Sequence, residues 1–180
     1  LTPDGELAGP GGIVLLVIDA LGHAQLRAAI DAGAAPHAAR MVTAAPRGLG
    51  TLTSIFPSTT TAALNSLATA CAPSQHGILA HSIWLEPAGV VNMLTLRPAG
   101  CDEPIDEETL RRVPTVYRRL ADAGVASVTI TDAAYEGTPF TNLLVDGATH
   151  RWYSGLSQIP FQLGCALQEA TRPTFYALYW

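Results

Sequence analysis

Residues 13–18 read Ile-Val-Leu-Leu-Val-Ile, and the run stops at Asp19 ahead of a Gly-containing turn. Branched apolar residues without alternation suit a strand whose sheet is covered on both faces. That narrows the chain to folds with helices packed on both sides of a mostly parallel sheet. The pattern recurs downstream. Residues 125–132, Val-Ala-Ser-Val-Thr-Ile-Thr-Asp, predict another strand ending in an aspartate, and residues 174–180, Thr-Phe-Tyr-Ala-Leu-Tyr-Trp, predict a last apolar strand. Residues 48–56 also read as a strand.

Helical patterns lie between these runs. Residues 24–32 place Leu26 and Ile30 four apart, with Gly33 as a stop. Residues 104–124 open on Asp106, Glu107 and Glu108, carry Arg118 and Arg119 near their end, and are broken by Pro114, which suits the first position of a restarted helix. Residues 157–170 predict a further helix. Within 82–105 the turn signal Pro87-Ala88-Gly89 between apolar runs predicts a hairpin, a small cap beside the main sheet. Strand and helix in alternation give the expected fold class: α/β, a doubly wound, mostly parallel sheet with helices on both faces. In such sheets ligands bind beyond the carboxyl ends of the strands.

The chain has 180 residues, 48% of them hydrophobic and 14% charged, which suits one domain spanning 1–180 with a buried core. Its net charge of −5 offers no basic face for nucleic acid or an anionic membrane. The longest apolar run falls far short of the ~20 residues that cross a bilayer. Residues 1–12 have neither the basic start nor the apolar middle of a signal peptide, which points to the cytoplasm. Cys71, Cys101 and Cys165 are odd in number and widely spaced, and read as reduced thiols.

Residues 56–77, Phe-Pro-Ser-Thr-Thr-Thr-Ala-Ala-Leu-Asn-Ser-Leu-Ala-Thr-Ala-Cys-Ala-Pro-Ser-Gln-His-Gly, carry the chemistry. Three threonines open a helix-like run. One hydroxyl can simply cap the helix N-terminus, worth about 1 kcal/mol. The same end of a helix also favours anions, so a nucleophilic oxygen and a phosphate would both be stabilised there. A threonine hydroxyl still needs activation, which metal coordination can provide, and Asp19 is a hard oxygen ligand of the right kind.

Residues 14–22 and 53–84, with the later stretches 129–144 and 175–180, resemble the type I phosphodiesterase/nucleotide pyrophosphatase family of the alkaline phosphatase superfamily. The features that match are Asp19 at a strand end, Phe56-Pro57, Thr60, Thr69-Ala70 and the turn Pro73-Ser74-Gln75-His76-Gly77. The resemblance implies a phosphoric ester hydrolase acting on a small-molecule phosphoester, with two divalent metal ions, zinc or else manganese. Thr60 would be the nucleophile, passing through a phospho-threonine, with Thr59 in its place if the register slips by one. Asp19 and Thr60 would be metal ligands, and His76 a structural turn residue. The remaining ligands of such a centre are an Asp-x-x-x-His motif, an Asp-His pair and a final His. Asp19 to His23 and Asp146 to His150 imitate the first; His23 is expected at a helix start and Asp146–His150 in a surface turn. No Asp-His pair occurs. The chain is therefore expected to be the N-terminal part of an alkaline phosphatase-like domain, lacking most of the ligands and inactive alone. The alternatives are a phosphomutase or phosphatase of the same superfamily, or a non-catalytic binding domain. The sulfatase Cys/Ser-x-Pro-x-Arg motif is missing.

Overall fold

The computed structural model describes residues 12–46 and 48–180. The elements run β1 (Gly12–Val17), α1 (His23–Asp31), α2 (Pro36–Ala44), α3 (Thr60–Thr69), α4 (Pro73–His76), β2 (Ser82–Leu85), β3 (Gly89–Asn92), β4 (Arg97–Pro98), α5 (Glu107–Leu110), α6 (Val116–Asp122), β5 (Ala126–Asp132), α7 (Pro139–Val145), β6 (Thr149–Tyr153), α8 (Gln158–Glu169) and β7 (Thr174–Tyr179). The described residues form two compact units, one of 12–17 with 55–180 and one of 18–54.

In the larger unit the main sheet has the order β1-β7-β5-β6, and every pairing is parallel. Register fixes which side chains share a face. Val128 and Ile130 of β5 align with Tyr176 and Leu178 of β7, and α8 covers them with Ile159, Leu163 and Ala166. On the opposite face, Thr129 aligns with Ala177 and Ser127 with Phe175. There α6 packs through Tyr117, whose ring centroid lies 6.1 Å from that of Phe175. Helices thus cover both faces over β5 and β7. β1, whose unalternating run predicts a covered strand, instead leaves Ile13, Val14, Leu15 and Leu16 exposed, because it pairs only with β7 among the described residues. This is an α/β fold built on a parallel sheet.

A second sheet, β2-β3-β4, is antiparallel, and its first two strands form the hairpin that the Pro87–Gly89 signal predicts. Under it Ile78, Val91, Met93, Leu96, Leu110 and Leu143 make a separate buried cluster.

Several expectations are corrected. Residues 48–56 form no strand: nothing among the described residues pairs with them, and Leu52 and Phe56 are 90% and 93% exposed. An apolar run becomes a strand only where a partner completes its hydrogen-bond ladder. Pro114 stands outside the helix it was expected to start; Thr115 caps α6 instead, its hydroxyl accepting the Arg118 N–H at 3.1 Å. His150 lies in β6, not in a turn. The Gly/Pro-rich opening at 1–11 lies outside the described residues.

In the smaller unit α1 and α2 follow one another, with Gly33 at φ +70° after the first. No helix among the described residues is long and apolar enough to cross a membrane.

Candidate active site

The N-terminus of α3 assigns a different job to each threonine. Thr59 is the N-cap: its backbone is extended, and its hydroxyl accepts the Ala62 N–H at 3.3 Å. Thr61 is fully buried, and its hydroxyl lies 3.3 Å from that of Thr59. Its carbonyl takes a hydrogen bond from the buried Asn65 amide at 2.9 Å, and Asn65 in turn offers its own carbonyl to the Thr69 hydroxyl at 2.6 Å. Thr60, half-buried at the first helical position, keeps a hydroxyl with no hydrogen bond among the described residues. It sits where unsatisfied N–H groups and the helix dipole favour negative charge.

Leu64, one turn along from Thr60 on the same helical face, opens onto a cavity of about 290 Å3. Its other walls include Leu94, Tyr135, Phe140, Leu144 and Tyr179. Tyr135 follows the carboxyl end of β5, and Tyr179 ends β7. The cavity therefore lies where a parallel sheet presents ligands. Sequence reasoning did not find these lining residues; an aromatic at the end of one strand and another just beyond a second were the signal.

His76 is built into the scaffold. It is 3% exposed, and its Nδ1 accepts the Ile78 N–H at 3.2 Å. That leaves the proton on Nε2, which donates to the Ser66 hydroxyl at 3.0 Å. Burial holds its pKa below the usual 6.5. Both ring nitrogens are spent on the protein.

Asp19 lies in the smaller unit, two residues beyond the last residue of β1, exposed, with Oδ1 accepting the Ala20 N–H at 2.7 Å. His23 is the exposed first residue of α1, and its Nε2 is 3.2 Å from the Thr51 hydroxyl. Asp146 is taken up by arginines: Arg118 Nη2 reaches Oδ1 at 2.6 Å, and Arg111 Nη1 lies 3.5 Å from Oδ2. His150 Nδ1 sits 2.7 Å from the Thr129 hydroxyl. Among the described residues no group of three or more His, Cys, Asp or Glu comes together, so the donors present do not by themselves fit a metal centre.

Among the solved structures similar to the chain are two of the phosphonoacetate hydrolase from Sinorhizobium meliloti 1021. The complex with phosphonoformate matches with a TM-score of 0.64 at 22% identity, and the complex with phosphonoacetate with 0.59 at 21%. Each match covers 94% of this chain, which spans 46% of the neighbour's length. No curated protein shows significant sequence similarity to it. The family model described as type I phosphodiesterase / nucleotide pyrophosphatase matches residues 13–180, and the chain belongs to that family.

Proposed function

We propose that the protein containing this chain hydrolyses a phosphoric ester of a small molecule, with Thr60 as nucleophile. The observation that carries this reading is the free Thr60 hydroxyl at the N-terminus of α3, flanked by two threonines whose hydroxyls are engaged. Thr60 Oγ would attack phosphorus and displace the alcohol, forming a phospho-threonine that water then cleaves. The N–H groups at the start of α3 would stabilise charge on the phosphoryl oxygens. The apolar cavity beside Leu64 would take the organic part of the ester. Family membership and the phosphonate-binding neighbours support this chemistry.

A free threonine hydroxyl is too weak an acid to attack unaided. The resemblance assigns its activation to two metal ions, zinc or manganese, with Asp19 and Thr60 as ligands. Among the described residues the donors present do not complete such a centre. The test is hydrolysis of bis-p-nitrophenyl phosphate by the full-length protein with added zinc or manganese. Thr60→Ala should lower kcat by at least about 10³-fold, the scale of a lost nucleophile. Thr59→Ala should keep most of the activity. Equal rates for Thr60→Ala and wild type would remove Thr60 from the mechanism. Asp19→Asn should weaken metal binding in the same protein, read by competition with a chromogenic chelator.

A further inference from the structure

A second cavity, of about 400 Å3, opens between the β2–β3 hairpin and the helices α4 and α5. Thr60 does not line it. His76, which does, hangs on Ser66, about 9 Å of helix rise along α3 from Thr60. We propose that this cavity binds a small monocarboxylate with a branched apolar tail, anchored by Arg112.

The volume falls within the range of small-molecule sites. Ile78, Ile83, Leu85, Ala88, Ile105 and Leu110 supply an apolar wall, and the charged groups are Arg112, Glu86 and Asp106. Among the described residues the Arg112 side chain makes no ion pair and no hydrogen bond, although both acids line the same space. Asp106 is committed to capping α5, its Oδ1 accepting the Glu108 N–H at 3.0 Å. The exposed Arg112 side chain passes close to the Gly77 backbone. Gly77, at φ +81°, leaves room for it: a Cβ there would lie 3.0–3.1 Å from Arg112 Nε, Cδ and Cζ. A planar fork resting on bare backbone, with its donors unspent, is suited to take both oxygens of a carboxylate.

The two acids decide the class of anion. Glu86 and Asp106 on the same cavity repel a dianion more than a monoanion, so a carboxylate with one charge is favoured over a phosphate dianion. The ligand class thus differs from the phosphate chemistry proposed at Thr60 and does not depend on it.

The test is titration of the full-length protein with 4-methylpentanoate, followed by methyl and amide NMR shifts. Saturable shifts are expected at Ile78, Ile83, Leu85 and Leu110. Arg112→Gln should weaken binding at least tenfold, and Ala88→Leu, which fills the cavity, should abolish it; a thermal melt checks that each variant is folded. 4-Methylpentan-1-ol, 4-methylpentylamine and inorganic phosphate should each bind at least tenfold more weakly than the acid. The proposal is overturned by the absence of saturable binding to wild type, by undiminished binding to folded Arg112→Gln, by equal binding of the alcohol, or by preference for the amine.

Discussion

Three consecutive threonines meet three different fates because a helix N-terminus treats successive positions differently. The cap residue is extended and turns its side chain back to an orphan N–H; the next residue starts the helix; the one after it, in this chain, points into the core. Thr59→Ala should therefore cost about 1 kcal/mol of stability, measured by urea unfolding. Thr60→Ala should change stability by less than about 0.5 kcal/mol while removing activity. The pairing matters, since a residue that matters for activity and not for stability is acting on substrate. His76 supplies a second prediction at this scale. Its folded pKa is lowered by burial, so the folded state favours the neutral ring. Its stabilising contribution is complete above the unfolded value of 6.5 and is lost as pH falls from there through the folded value. His150, also lowered by burial, acts in the same direction. Urea midpoints should thus drop between about pH 7.5 and about pH 5.5, on either side of the free histidine value. The drop should shrink in His76→Gln.

Elements contact one another through single positions, and Gly147 is one of these. It follows α7 at φ +91°, and a Cβ there would lie 2.8 Å from the Arg118 nitrogen and 2.9 Å from its Cα. Backbone meets backbone, so nothing flexible can give way. Gly147→Ala should destabilise by about 2 kcal/mol or more, combining left-handed strain with the clash. Gly137→Ala, at φ +68° with nothing within 4 Å, isolates the strain and should cost about 1 kcal/mol. The difference between the two in urea unfolding measures the close approach of the turn to α6. The same dependence on partners explains which elements were legible. β1, β5 and β7 carry apolar runs that a covered sheet demands, and they are found from sequence alone. β6, Thr-His-Arg-Trp-Tyr, lies at the sheet edge and carries no such run, so only its ladder with β5 reveals it. Leu52 and Phe56 show the converse, apolar residues without a partner. α7 was readable in principle, with Thr138 as cap and Pro139 at its first position. At the candidate site the start of α3 among the threonines was legible from the sequence, but the free state of the Thr60 hydroxyl was not, because that depends on where Thr59 and Thr61 point.

Over the whole of the larger unit, the sheet is covered unevenly. β7 and β5 have partners on both sides, and Tyr176 and Ile130 are fully buried. β1 pairs only with β7 among the described residues, and Ile13, Val14, Leu15 and Leu16 remain 41%, 47%, 38% and 52% exposed. Strand order explains why an interior-type sequence stands at an edge: pairing places β1 beside β7, the last strand of the chain, and local patterning carries no information about that neighbour. An open apolar edge also has a physical consequence. The N–H and C=O groups on that edge, unpaired among the described residues, and its apolar side chains can template association with another strand. This 180-residue chain by itself should therefore self-associate with rising concentration, as seen by sedimentation velocity. Leu16→Lys puts a charge on a side chain already half in water, so it should cost little stability and shift the distribution towards monomer. If the wild-type chain is monomeric throughout and Leu16→Lys changes nothing, the β1 edge is not a pairing surface. If association falls while the melting temperature holds, the strand is folded, open and adhesive, as its exposure implies.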